Sequence, residues 1–175
     1  MHRLLAKSVH VVMAGLALAA CSLDRDSTPQ QPSFYKSLAN ADAELDAATA
    51  ASMISGYRQN NGLGAVALDP TLVKLATEQT RAMVARDKLD HNAGRAFQQR
   101  MKESGFDAKL AVENVSAGYH TLAEAFSGWR DSPPHRANML KSGATHMGIA
   151  AVYAPNSKYK VFWTLILAAP DDRKS

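Results

Sequence analysis

The pattern of apolar and polar positions changes period along the chain. The stretch "AELDAATAASMISGYRQ", about Ala43 to Gln59, predicts a first helix, closed by the stop signal "NNGLG". Asp69-Pro70 has the form of an N-cap followed by proline at the first helical position. Leu72, Leu75, Ala76, Gln79, Ala82 and Met83 then share one face of a second helix. A third helix is expected from about Ala93 to Glu103, with Phe97 and Met101 one turn apart and Gly105 as C-terminal cap. Thr121-Leu122-Ala123-Glu124 reads as a capping box opening "LAEAFSGW". Ser132 reads as the cap of a short helix, "PPHRANML".

Near the C-terminus the period falls to two. "HMGIAAVYA" and "YKVFWTLILAA" predict strands joined by the turn "PNSK". Val161, Trp163, Leu165 and Leu167 take one side of the last strand, and Phe162, Thr164 and Ile166 the other. Both sides are mostly apolar, so the strand is covered twice. Helices with such a sheet give an α+β class: a three-layer α/β/α sandwich with a small antiparallel sheet between helices. Further strands near "NNGLGAVALD" and "LAVENVSAG" are weaker candidates.

The N-terminus is of a different kind. Arg3 and Lys7 precede an apolar run from Val11 to Ala20, then small residues and Cys21. That is a secretory signal pattern, too short to span a membrane. Leu18-Ala19-Ala20-Cys21 resembles a bacterial lipobox, which implies cleavage before Cys21, its lipidation, and attachment to a membrane. Ser22, where an aspartate would imply inner-membrane retention, points by that resemblance to the outer membrane. The expected organisation is residues 1–21 as signal and lipidated cysteine, 22–42 as a polar, proline-bearing tether, 43–170 as the domain, and 171–175 as a tail.

Composition narrows the chemistry. Cys21 is the sole cysteine, so the domain holds neither a disulfide nor a thiolate metal site. The net charge of +4 includes two cations of the signal segment; the remainder carries eighteen Lys and Arg against sixteen Asp and Glu. With no basic stripe, a nucleic-acid partner is not expected.

Outside the signal stand His91, His120, His135 and His146. His91, after Asp90, is expected at the end of the second helix, where an imidazole suits the helix dipole. Glu113, in "VENV", reads as a loop residue. Pro133 and Pro134 occupy positions that need no intrahelical N–H donor, so they fix the backbone at His135 without loss of a hydrogen bond. The helix N-terminus favours neutral imidazole there, the form that binds metal or accepts a proton. From local sequence, His135 either serves a site or only packs the start of its helix. No HExxH or other local metal signature occurs.

The order "LDHNAGRAFQQRMKESGF", "VENV", "AFSGWRDSPPHRANML", "THMGIAAVYA", "YKVFWTLILAAP" resembles the bacterial, SCP-like members of the CAP superfamily, the cysteine-rich secretory, antigen 5 and pathogenesis-related type proteins. The likeness runs from about Leu45 to Pro170. It implies an α/β/α sandwich with a central cleft of histidines and acids. By motif, His91 matches the first cleft histidine, Glu113 the glutamate of "GEN", and His135 the histidine of "SPxHR". The cleft of some members holds zinc or another divalent cation, and His91, His135 and Glu113 are the implied ligands. "VEN" replaces "GEN" here. A second cleft glutamate is missing, with Ser132 at its position and Asp131 as a candidate substitute, while Glu124 belongs to the capping box. The "HNAGR" likeness to another motif of the superfamily falls on the wrong helix and is accidental.

By that resemblance the expected role is a non-enzymatic envelope module that binds a lipid, a cell-wall component or a protein. The alternative is metal-assisted hydrolysis of peptide or cell wall, with Glu113 as base and His91 and His135 as the other catalytic candidates. A serine hydrolase is a poorer fit, because Ser132 stands too close to His135 in sequence and no GxSxG occurs.

Overall fold

The computed structural model describes residues 31–171. The expected signal segment, Cys21, the first part of the tether and the last four residues of the tail lie outside the described residues. Five α-helices and four strands follow the order α1 (Ala47–Asn60), β1 (Ala67–Leu68), α2 (Pro70–Arg86), α3 (Phe97–Glu103), β2 (Ala108–Ala117), α4 (Leu122–Asp131), α5 (Pro133–Met139), β3 (His146–Ala154) and β4 (Lys160–Pro170).

Local chemistry sets most boundaries. Asp69 caps α2, accepting from Leu72 N at 2.9 Å, with Pro70 at the first helical position. Thr121 and Glu124 form the reciprocal capping box of α4. α1 starts at Ala47 rather than Ala43, because Asp46 accepts from Thr49 N and Oγ1 at 2.9 and 2.6 Å and fixes the first turn. Those bonds hold the Asp46 carboxyl down to about 2. α3 begins at Phe97, four residues later than expected. Ser132 makes no side-chain cap bond to α5. Pro133 and Pro134 supply no N–H at the first two helical positions, so a donor that a capping serine commonly satisfies is missing. The Ser132 carbonyl instead accepts from Arg136 N at 2.8 Å.

The sheet order is β1-β3-β4-β2. β4 runs antiparallel to both neighbours, while the two-residue β1 lies parallel to β3, so the sheet is mixed rather than wholly antiparallel. β4 is buried along nearly its whole length, as two-sided coverage requires. On one side Val161, Trp163, Leu165 and Leu167 pack with Ile54 of α1, Trp129 of α4 and Met139 of α5. On the other, Ile166 and Ala168 meet Leu72, Leu75 and Ala76 of α2, and Phe162 meets Met83. Helices thus cover both faces of the sheet, the expected α/β/α layering. α2 lies so close to β3 that a Cβ on Gly148 would run into the backbone of Leu72 and Val73.

Two polar features tie the layers together. Arg58 of α1 is 1% exposed and donates to the carbonyls of Gly64, Met139, Lys141 and Ala144 at 2.8–3.0 Å. Its guanidinium pKa is lowered by burial. It pins the end of α5 and the approach to β3 against α1. The second half of the expected tether also packs: Leu38 is buried in the core, and its N–H donates to the His120 carbonyl at 2.7 Å. Ser33 Oγ donates to Asp46 Oδ2 at 2.8 Å. Residues 33–38, within the expected tether, thus pack against the domain. At the other end Asp171 N donates to the Asp107 carbonyl at 2.7 Å, which extends the β2–β4 pairing by one residue.

Candidate functional site

The site is built at the outer edge of β2, the strand with β4 on one side only. Side chains alternate across a strand. Glu113 stands opposite Ile166, on the α2–α3 side, and Asn114 opposite Leu165, on the α5 side. Neighbouring residues of one edge strand thus reach both helical layers. Glu113 is a strand residue, against the expected loop, because residues 108–117 pair with β4 almost throughout.

From the α2–α3 side comes His91. α2 ends earlier than its sequence pattern implied, at Arg86, with Asp87 in the left-handed region at φ 46°. His91 therefore sits in the following turn and not at the helix end. Two buried side chains hold that turn. Gln79 of α2 donates to the Asp90 carbonyl at 2.7 Å, and Arg100 of α3 donates to the His91 carbonyl at 3.0 Å. His91 Nδ1 meets Glu113 Oε1 at 2.9 Å, and Arg100 Nη2 donates to Glu113 Oε2 at 2.8 Å. The Glu113 and Arg100 side chains are 2% and 3% exposed, whereas the His91 side chain is half exposed.

This arrangement defines the imidazole. With the carboxylate on Nδ1, that nitrogen carries the hydrogen in the neutral ring and Nε2 is left as acceptor. The hydrogen bond that His91 donates to Glu113 raises the His91 pKa, partly opposed by burial and helped by the Glu113 charge.

From the α5 side comes His135. Asn114 Nδ2 donates to the His135 carbonyl at 3.0 Å. Asn138, one turn on, donates to the Glu113 carbonyl at 3.0 Å and to Asn114 Oδ1 at 2.9 Å. The two asparagines moor α5 to β2 beside Glu113. Burial lowers the His135 pKa, and repulsion from His91 lowers it further. His91 and the helix that carries His135 are each bonded to the same edge strand, β2. Among the described residues, neither His91 Nε2 nor the His135 ring makes a hydrogen bond within the chain.

The remaining candidates lie elsewhere. Asp131 pairs with Arg130 at 2.8 and 3.1 Å on the surface. Glu124 accepts from the N–H groups of His120 and Thr121 in the capping box. His146 Nδ1 is engaged with Thr145 Oγ1 at 2.8 Å. Among the described residues no group of three His, Cys, Asp or Glu side chains forms a metal-ligating cluster. Both Glu113 oxygens are already committed, one of them to a buried cation. Glu113 thus suits a supporting role behind His91, and the two imidazoles are the donors with nitrogens to offer.

Sequence reasoning passed over Arg100, Gln79 and Asn138. The "RMK" and "HRAN" stretches lie inside the motifs that carried the family likeness, so a signal was present. Gln79 stood on the apolar face of its helix, but nothing local distinguished Arg100 and Asn138 from solvated side chains.

Comparison with known proteins places this geometry in context. The sequence model of the family described as "CAP: Cysteine-rich secretory protein family" matches residues 51–167. The uncharacterized protein YkwD of Bacillus subtilis is 31% identical over 136 residues, 70% of this chain and 52% of that protein. The chain thus spans about half the length of this curated relative. Among solved structures, an outer surface protein of Borrelia burgdorferi matches with a TM-score of 0.67 at 19% identity, over 75% of this chain and 97% of that one. An extracellular protein containing a SCP domain from Bacillus anthracis matches with a TM-score of 0.61 at 21% identity, over 69% of this chain and 39% of that one. At such identities the two structures speak for the fold alone.

Proposed function

The chain belongs to the cysteine-rich secretory protein (CAP) family, and from that premise we propose that it is an exported, lipid-anchored binding module of the cell envelope. The ligand site is the His91–His135 cleft. One observation carries this reading: Glu113, buried and held by Arg100, takes His91 Nδ1 and leaves Nε2 free, while the neighbouring strand residue Asn114 holds the backbone of His135. A carboxylate behind an imidazole orients that ring and raises its basicity toward a ligand. Above the raised His91 pKa the two rings can offer neutral nitrogens to a divalent cation such as zinc, or to the acidic hydrogens of a small ligand. Zinc, when held, supplies Lewis acidity and completes its coordination with water or ligand oxygen. With two protein donors, affinity is modest.

Calorimetry of zinc against the wild type, His91→Ala and His135→Ala tests the cleft. Each substitution is expected to weaken binding at least about tenfold, the usual scale for altered metal surroundings. Equal affinity in all three proteins overturns the site. Export and anchoring rest on the signal pattern and on Cys21; proteins titled extracellular protein and outer surface protein share the fold, in keeping with export. A fatty-acid probe tests the anchor: equal labelling of the wild type and Cys21→Ser overturns it.

A second reading, hydrolysis of an envelope substrate, is favoured by one feature. His91 is pushed toward its protonated form and His135 toward its neutral form, the division of labour of a general acid and a general base. Glu113 is not that base, since both of its oxygens are occupied. Turnover of peptide or cell-wall substrate, lost in His135→Ala, is the result that would promote this reading.

A further inference from the structure

β2 has β4 on one side only, and half of its other edge is open. Residues 113–116 of the strand are buried, whereas residues 108–112 are exposed or half-buried. Beside that open half lies a groove of about 620 Å³ between β2 and α3. Four consecutive strand residues, Ala108 to Ala111, line it. One face of a strand offers alternate residues only, so the groove runs along the edge of the strand. Four residues of strand measure about 13 Å.

The ladder fixes the direction of the backbone at that edge. The N–H and C=O of a residue in an antiparallel strand point to the same side, and the side alternates along the strand. Gly118 N–H donates to the Val161 carbonyl, toward β4. Asn138 of α5 meets the Glu113 carbonyl from the opposite side. Asn114 and its even-numbered neighbours thus bond to β4, and Ala111, like Glu113, turns both backbone groups outward, onto the groove that it lines. Among the described residues no hydrogen bond is made to them. Phe97, Met101 and Phe106 give the groove an apolar wall. Lys102 and Lys109 line it as exposed side chains and, among the described residues, make no ion pair. Asp107, the acid among the lining residues, is engaged in an interaction of its own.

We propose that this groove binds an extended peptide segment bearing acidic side chains, added as a short strand to the outer edge of β2. An open edge is a template for a further strand: main-chain bonds hold it, and pockets for its side chains select it. A peptide residue opposite Ala111 exchanges two hydrogen bonds with it. Apolar side chains of the peptide meet Phe97, Met101 and Phe106, and its carboxylates pair with Lys102 and Lys109. A second copy of the chain is a poorer occupant. Antiparallel pairing of β2 with its copy around Ala111 needs residue 113 of both edges, where α5 is already bonded through Asn138. A separate short segment stops before that block. The site is distinct from the His91–His135 cleft and does not depend on metal binding there.

The test is nuclear magnetic resonance on the full chain in detergent, at constant ionic strength. The probe is a blocked pentapeptide of alternating valine and glutamate, and its control has lysine in place of glutamate. Saturable shifts are expected at the Ala111 amide with the glutamate peptide and not with the control. Ala111→Pro removes the outward N–H and leaves the bonds to β4, as proline does at a strand edge. It is expected to weaken binding about tenfold. Lys109→Glu is expected to weaken it about tenfold as well, by reversing a charge beside the peptide. Lys109 is exposed, so this variant keeps the fold and carries the test even where the proline variant does not fold. Lys36→Glu, an equal reversal at an exposed position that does not line the groove, is expected to leave the affinity unchanged. Absence of saturable shifts at Ala111 overturns the proposal. Equal weakening by both charge reversals overturns it too, because it reflects overall charge. Wild-type affinity in a folded Ala111→Pro overturns the strand pairing. Ala111 shifts that grow with protein concentration in the absence of peptide assign the edge to a second copy and overturn the proposed occupant.

Discussion

The two faces of β4 are packed differently. On the α1–α4–α5 side, Val161, Trp163, Leu165 and Leu167 meet apolar partners, and Trp163 crosses Trp129 edge-on with ring centres 6.3 Å apart. The indole N–H of Trp163 reaches the Tyr119 carbonyl at 2.8 Å, so its one polar group is satisfied. On the α2–α3 side polar groups enter the layer. Thr164 is bonded to Thr80 at 2.8 Å, Gln79 holds the Asp90 carbonyl, and Glu113 stands with Arg100 out of water. The strand's first face meets its helices mainly through area and shape, with Arg58 and the two asparagines bonding at the margins; its second face carries directed bonds within the layer itself. A site needs fixed charges and imidazoles in a set orientation, and such positions come from directed bonds. His91, on the polar side, and α5, which carries His135, are both bonded to β2, the edge strand that the two layers share.

The contrast predicts different responses to damage. Trp163→Ala is expected to cost about 3–5 kcal/mol in a chemical melt, with little dependence on pH, because it removes buried area and leaves a void. A loss below about 1 kcal/mol would mean that the apolar face does not carry the fold.

Glu113→Gln is expected to cost less, about 1–3 kcal/mol, because the shape survives while a charged partner of Arg100 is lost. That cost depends on pH. The folded-state pKa of His91 is raised. Its pairing with Glu113 therefore adds stability below the ordinary imidazole value, and this contribution is lost as pH rises through the raised value. The gap between wild type and variant should be wider at about pH 5.5 than at about pH 9. His135, lowered, works the other way: the stability tied to its neutral form is lost as pH falls through its lowered value, in both proteins alike. A gap that stays constant with pH would separate Glu113 from His91. Titration of the His91 ring by nuclear magnetic resonance gives an independent check, with the variant expected to move toward the ordinary value.

Asn138→Ala is expected to cost about 1–2 kcal/mol, from two lost hydrogen bonds. It should weaken zinc binding as well, by loosening the mooring of His135, although Asn138 offers no ligand. Unchanged zinc affinity would show that α5 is held by packing alone. The smallest effect is expected for Asp69→Ala, about 1 kcal/mol from the α2 cap, with zinc affinity unchanged. A clear loss of zinc affinity there would show that the polar face transmits strain from one end of α2 to the other.

Elements whose signals are local were legible in the sequence. The Asp69-Pro70 start, the capping box at Thr121 and the two-sided apolar strand at β4 each depend on residues within a few positions of one another. β2 was a weaker signal, because Glu113 and Asn114 interrupt the apolar pattern of an edge strand and serve different layers. The residues 31–42 look like a tether in composition; Leu38 packs only because the rest of the domain supplies a place for it. The positions His91, Glu113 and His135 came from motif order, while the pairing of His91 with Glu113 required the fold.

By itself, then, the sequence determined the helices with explicit caps, the double coverage of the last strand and the identity of the family. The tertiary structure alone decided that Arg58 binds four carbonyls, that Arg100 stands behind Glu113 with one nitrogen unpartnered, and that α5 is moored through Asn114 and Asn138. The reason is range. A cap or an alternating strand is specified by neighbours along the chain. A buried arginine acquires its meaning from acceptors that are distant in sequence and meet it only after the layers have packed.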